Sequence, residues 1–131
     1  MICPACKSPL VGLEFDRIEV DYCIACKGVW LDSGELELLL ESAANRDQLM
    51  STLTRQTGRG EKKVRCPICS KRMDKVSCGT EEQVCLDKCP KGHGLWFDGG
   101  ELEQVLGMGN FPADSRVSQL LAEVFGNKEK S

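Results

Sequence analysis

Cys23-Ile-Ala-Cys26-Lys-Gly-Val-Trp30-Leu-Asp32-Ser-Gly-Glu35-Leu36 decides the fold, because it returns as Cys89-Pro-Lys-Gly-His93-Gly-Leu-Trp96-Phe-Asp98-Gly-Gly-Glu101-Leu102. Upstream of each copy stands a further pair, Cys3-Pro-Ala-Cys6 and Cys66-Pro-Ile-Cys69. One Cys-x-x-Cys arises by chance. Paired clusters that twice precede the same Trp-x-Asp-x-Gly-Glu-Leu tail at matching distance mark an internal repeat.

Two residues between cysteines let both sulfurs of a tight turn face one ion. Zinc has no ligand-field preference and takes four thiolate or imidazole ligands tetrahedrally. The spacing therefore predicts two Zn2+ per chain, one on Cys3, Cys6, Cys23 and Cys26 and one on Cys66, Cys69, Cys89 and His93. His93 is the only histidine. Aligning Trp30 with Trp96 puts Gly92 at the place of Cys26 and His93 one place later, so the second site closes through an imidazole. Cys78 and Cys85 have no counterpart in the first half. They read as small strand residues, as a reversible disulfide across a hairpin, or, for Cys85, as a substitute for Cys89 or His93.

Composition fits this reading. Of 131 residues 41% are apolar but only 5% aromatic, so large core anchors are scarce. Halves of this size bury too little surface to be stable without a staple, which each ion supplies. Nine cysteines, an odd number in ligand-pair spacing with no leader segment, point to a reducing cytoplasm rather than to disulfides. No stretch has the roughly 20 apolar residues that a membrane span needs.

Between the ligand pairs the pattern is β. Leu13-Glu-Phe15 and Ile18-Glu-Val20-Asp-Tyr22 alternate about Asp16-Arg17; Val76 and Val84-Cys-Leu86 repeat this around Gly79-Thr-Glu-Glu. Each tail then opens a helix. Asp32 with Glu35, and Asp98 with Glu101, have capping-box spacing, which makes the aspartates N-caps and argues against paired catalytic carboxylates. The first helix is expected to run on to Leu53. Trp30 and Trp96 are expected to pack under their own ribbons, against the helices. The fold class is a small metal-stabilised α+β protein: two tandem zinc ribbons, each a β-hairpin with zinc knuckles followed by a helix, plus a C-terminal helix. The expected divisions are a first ribbon and helix at 1–54, a basic linker at 55–65, a second ribbon and helix at 66–108, and a helix and tail at 109–131. Val117, Leu120, Leu121, Val124 and Phe125 signal that last helix.

These residues resemble the bacterial and archaeal zinc-finger family named for transcription factor IIB, whose pattern is CPxC, a hairpin, CxxC or CxxxH, and a Gly-x-Trp-Leu/Phe-Asp-x-Gly-Glu-Leu tail. The resemblance spans residues 1 to about 42 and 66 to about 106. It implies zinc on the eight ligands above and, by the family name, a link to transcription. His93 departs from the all-cysteine form, and Cys78 and Cys85 are additions.

Charge is segregated. Residues 1–54 hold four Lys/Arg against nine Asp/Glu, residues 55–75 eight against two, and residues 76–131 five against nine. A basic stripe from Arg55 to Lys75 can touch phosphate, yet seven thiolates and two divalent ions lower the net charge of −3 to about −6, and an acidic body repels nucleic acid. The expected function is a non-enzymatic adaptor with a protein partner, with nucleic acid the second choice. No catalytic or other cofactor-binding residues are expected, because four protein ligands per ion leave no position for water. The alternative class is a thiol-redox or rubredoxin-like iron protein, to which the histidine of the second site is ill suited.

Overall fold

The computed structural model describes residues 1–15, 18–55, 64–79 and 84–109. The C-terminal helix expected from 114, most of the basic linker (56–63) and the hairpin tips at 16–17 and 80–83 lie outside these residues. In chain order the elements are β1 (Val11–Phe15), β2 (Ile18–Tyr22), β3 (Val29–Asp32), α1 (Glu35–Leu39), α2 (Arg46–Ser51), β4 (Thr54–Arg55), β5 (Asp74–Cys78), β6 (Val84–Lys88), β7 (Gly94–Phe97) and α3 (Glu101–Gly107). The class is α+β, with two cysteine-rich turn pairs in the arrangement of two zinc ribbons.

Alternation produces both hairpins. β1 pairs with β2 in the register Leu13↔Val20, and β5 with β6 in the register Val76↔Leu86. The tail does more than open a helix. The four residues around its tryptophan form a third strand in each half, β3 against β2 and β7 against β6. These strands then pair antiparallel with each other, Val29↔Phe97, Trp30↔Trp96, Leu31↔Leu95 and Asp32↔Gly94. One sheet results, in the order β1-β2-β3-β7-β6-β5-β4. Because Trp30 and Trp96 are repeat equivalents, the seam is self-complementary, as a two-fold contact between subunits would be.

Strand alternation divides the seam between two cores. Val29, Leu31 and Phe97 point to one face, where Leu36, Leu39, Leu40 and Leu49 join Leu102, Val105 and Leu106. Trp30 and Trp96 point to the other, with Cys3, Cys23, Cys66, Met73 and Cys89. The tryptophans therefore pack among the ligand cysteines and not against the helices.

Two further expectations change. The first helix breaks after Leu39: Leu40 leaves helical geometry, and turn bonds from Ala43 N–H to Leu40 and from Arg46 N–H to Ala43 reverse the chain. A straight helix to Leu53 would run about 28 Å; the break instead folds α2 back so that Leu49 enters the same core as Leu36 and Leu40. Asn45 Nδ2 fixes the turn by donating to the Met108 carbonyl at 3.0 Å. Nor are the aspartates side-chain caps. The N-caps are Gly34 and Gly100, at φ 90° and 87°, a left-handed conformation that glycine adopts freely. Half of the capping box survives, since Glu35 Oε1 and Glu101 Oε1 each accept the backbone N–H of the aspartate, at 2.8 Å. The aspartate side chains turn to the tryptophans instead, and Oδ1 of Asp32 and of Asp98 accepts the indole N–H of Trp30 and of Trp96, each at 2.9 Å.

Candidate metal centres

Four turns build the centres. In each, the N–H of the leading cysteine donates to the carbonyl five residues on: Cys3 to Ser8, Cys23 to Gly28, Cys66 to Lys71 and Cys89 to Gly94. Three turns carry the second ligand three residues after the first and a left-handed residue next, namely Lys7, Lys27 and Ser70. The fourth has the same length with the roles shifted. Gly92 takes the left-handed place one residue early, at φ 84°, and His93 follows as ligand. Backbone N–H groups aim at the leading sulfurs: Ala5 and Cys6 at Cys3, Cys26 at Cys23, Ile68 at Cys66 and Lys91 at Cys89, all at 3.3–3.4 Å. They stabilise thiolate there.

The structure brings all eight predicted ligands into two groups of four, with the ligand atoms of each within 4.8 Å of one another. Sulfurs stand 3.6 Å apart for Cys3 and Cys26, 3.4 Å for Cys6 and Cys23, and 3.6 Å for Cys69 and Cys89. His93 turns Nδ1 inward, 3.4 Å from Cys89 Sγ and 4.0 Å from Cys66 Sγ. A tetrahedron with Zn–S of about 2.3 Å and Zn–N of about 2.0–2.1 Å has edges of about 3.6–3.8 Å. Both clusters fit one zinc ion each, held by four protein ligands.

Electrostatics shows what a cation does there. Burial pushes the thiol of Cys26 up to about 12 and that of Cys66 up to about 11, and it raises Cys3 as well. Cys6 falls to about 6, through the hydroxyl and then the amide of Ser8. At Cys89 burial pushes upward, but the amides of His93 and Lys91 with the thiols of Cys69 and Cys66 outweigh it and bring the group to about 6. Each cluster thus has one thiol ready to ionise, Cys6 or Cys89, while Cys3, Cys26 and Cys66 need a neighbouring positive charge, which a divalent ion supplies.

The centres are joined. A Cβ on Gly28 would run into Cζ2 of Trp96, and one on Gly94 would lie 2.7 Å from Cζ2 of Trp30. Each indole therefore crosses the seam onto the glycine beside the other centre. Ser33 N–H also crosses, to the carbonyl of the ligand His93 at 3.0 Å. Sequence reasoning missed the glycines, although both tails read Gly-x-Trp.

The leftover cysteines lie apart. Cys78 stands opposite Val84, and Cys85 opposite Ser77, so adjacent registers put the two on opposite faces of the hairpin. The register overturns a disulfide between them. Neither belongs to a four-ligand group, and Cys85 replaces no ligand. Cys78 is buried near the Leu49 carbonyl and the Thr52 hydroxyl. Within the basic stripe, Lys75 Nζ is committed to a buried ion pair with Asp87 Oδ1 at 2.8 Å, while Arg65 donates to the Ser70 carbonyl. No helix among the described residues is long and apolar enough to cross a membrane.

No curated protein and no solved structure matches the chain. The family described as Transcription factor zinc-finger matches residues 2–42, and the first ribbon, with its ligands Cys3, Cys6, Cys23 and Cys26, is similar to that family.

Proposed function

We propose that this chain is a non-enzymatic adaptor: two zinc ions hold two ribbons in one rigid sheet, whose outer surfaces meet a protein partner. The observation that carries this reading is the completeness of both clusters, four ligand atoms within 4.8 Å in each. An ion so enclosed has no position for water or substrate, so its role is to hold structure. Of the redox alternative, the Cys78–Cys85 disulfide loses its support, since the two occupy opposite faces. Of the basic stripe, Lys75 is engaged by Asp87 and is not offered to phosphate. The description of the family similar to residues 2–42 supports a partner in transcription, and thiol-rich centres suit the reducing cytoplasm.

The test uses the full zinc-loaded chain as bait, before and after chelation, with captured proteins then purified and cross-linked to it. A defined partner retained only by the zinc-loaded chain is the expected result. Hydrolytic or redox turnover that tracks zinc content, with no partner retained, would overturn the reading.

A further inference from the structure

The two halves also differ along the outer strand of their hairpins. In the second half β5 is covered on its outer side by β4, with Thr54↔Ser77 and Arg55↔Val76. On its inner side, Lys75 answers Asp87. By register, the first-half equivalents of Lys75, Ser77, Cys85 and Asp87 are Gly12, Glu14, Glu19 and Asp21. The lysine is missing there, three carboxylates share the face, and Glu14 stands directly opposite Glu19, a like-charge pairing that costs stability. Glu19 Oε2 and Asp21 Oδ1 both lean over Gly12, 3.6 and 3.8 Å from where its Cβ would be. Among the described residues β1 is also the last strand of the sheet, and Val11, Gly12 and Glu14 are exposed on it.

We propose that the outer edge of β1, beside Glu14, Glu19 and Asp21, accepts an extended basic segment of a protein partner as an eighth strand. The inference rests on the adaptor reading and names its surface. The second half shows the ligand chemistry inside this same molecule: a short strand on the outer edge and an ammonium on the aspartate. An open strand edge offers unpaired N–H and C=O groups to an incoming chain, and alternate side chains select it. Carboxylates beside that edge select lysine or arginine, and they repel the β1 of a second copy.

The probe is a fluorescent peptide of alternating lysine and valine, titrated into the zinc-loaded full chain. Two controls accompany it: the same peptide with alternate backbone amides N-methylated, and a Glu14→Gln/Glu19→Gln variant of the chain. Removing an opposed like-charge pair leaves the fold intact. The expected result is saturable binding that slows hydrogen exchange of β1 amides, weakens with salt, and falls about tenfold or more in each control. Equal binding of the N-methylated peptide, indifference to the double variant, or protection on α1, α3 or the metal turns would overturn it. Dimers of the chain protected at β1 would overturn it in favour of a second copy. A purified partner that protects another face sinks this surface and leaves the adaptor reading standing; the absence of any zinc-dependent partner sinks both.

Discussion

Trp30 and Trp96 face each other at the centre of the β3–β7 ladder, and each indole rests on the glycine two residues before the other. Both side chains are fully buried. The relationship makes the two repeats one folding unit, since neither tryptophan is enclosed by its own half alone.

The glycines under these indoles are the sharpest test of the seam. A Cβ at Gly94 would collide with the Leu31 carbonyl oxygen as well as with Trp30, and a backbone atom cannot move aside as a side-chain end can. Gly94→Ala is expected to cost about 1–3 kcal/mol or more in urea unfolding. Gly107→Ala, in α3 with nothing within 4 Å of the new methyl, should instead stabilise by about 0.5–1 kcal/mol. Similar small effects at the two positions would contradict the packing.

Metal loading should be coupled across the same contact. Trp30 packs beside the His93 turn, Trp96 beside the Cys26 turn, and Ser33 holds the His93 carbonyl. Ordering one centre therefore prepares the other, and binding one ion raises affinity for the second. In native mass spectrometry during zinc titration, the one-zinc species should stay well below the share expected for independent sites. Cys66→Ser should also weaken the first centre. Statistical loading, with the first centre indifferent to that change, would show two autonomous ribbons.

The ligand sets were legible in the sequence because tetrahedral chelation by tight turns fixes spacing locally, and all eight residues meet as the spacing demands. The hairpins were legible by alternation. The seam was not. Val29 to Asp32 looks like a helix approach until a second copy is there to pair with it, and pairing at a separation of 66 residues leaves no periodic mark. The caps were misread for a related reason: Asp-x-x-Glu spacing is satisfied locally, yet the buried indole N–H competes for the aspartate oxygen and wins it. The break after Leu39 answers to the shape of the core that Leu49 joins, which local propensity does not encode.

That competition predicts a graded mutational series. Asp32→Ala leaves the buried Trp30 N–H without its acceptor and is expected to cost about 1–3 kcal/mol. Asp32→Asn keeps an oxygen in place and should cost little. In a double-mutant cycle with Trp30→Phe the two changes should be strongly non-additive, whereas a helix-capping role would leave them additive.

The extra cysteines are expected to behave separately. Burial raises the Cys78 thiol, whereas Cys85 is partly exposed. In the zinc-loaded protein iodoacetamide should modify Cys85 well before Cys78, and mild oxidant should give no Cys78–Cys85 bond by peptide mapping. Recovery of that linked peptide from folded protein would mean that the hairpin shifts register.

Glu101 should give the second half a pH dependence of its own. Burial first, then the charges of Asp98 and Asp87, raise its carboxyl to about 7, against the Asp98 amide and Lys75, which lower it. A carboxyl raised on folding binds its proton more tightly in the native state. Its stabilising contribution is complete below the unfolded value near 4.5 and is lost as pH rises through about 7. Glu101→Gln keeps an oxygen to accept the Asp98 N–H but cannot ionise. Urea unfolding of both proteins at saturating zinc, from pH 5 to 8, isolates this group, because protonation of the thiolate ligands affects both equally. The glutamine variant should gain stability relative to the parent across that range, most steeply between pH 5 and 7. Parallel curves would mean that Glu101 ionises freely in the folded protein, and that its carboxylate is solvated rather than enclosed between Asp98, Asp87 and Lys75.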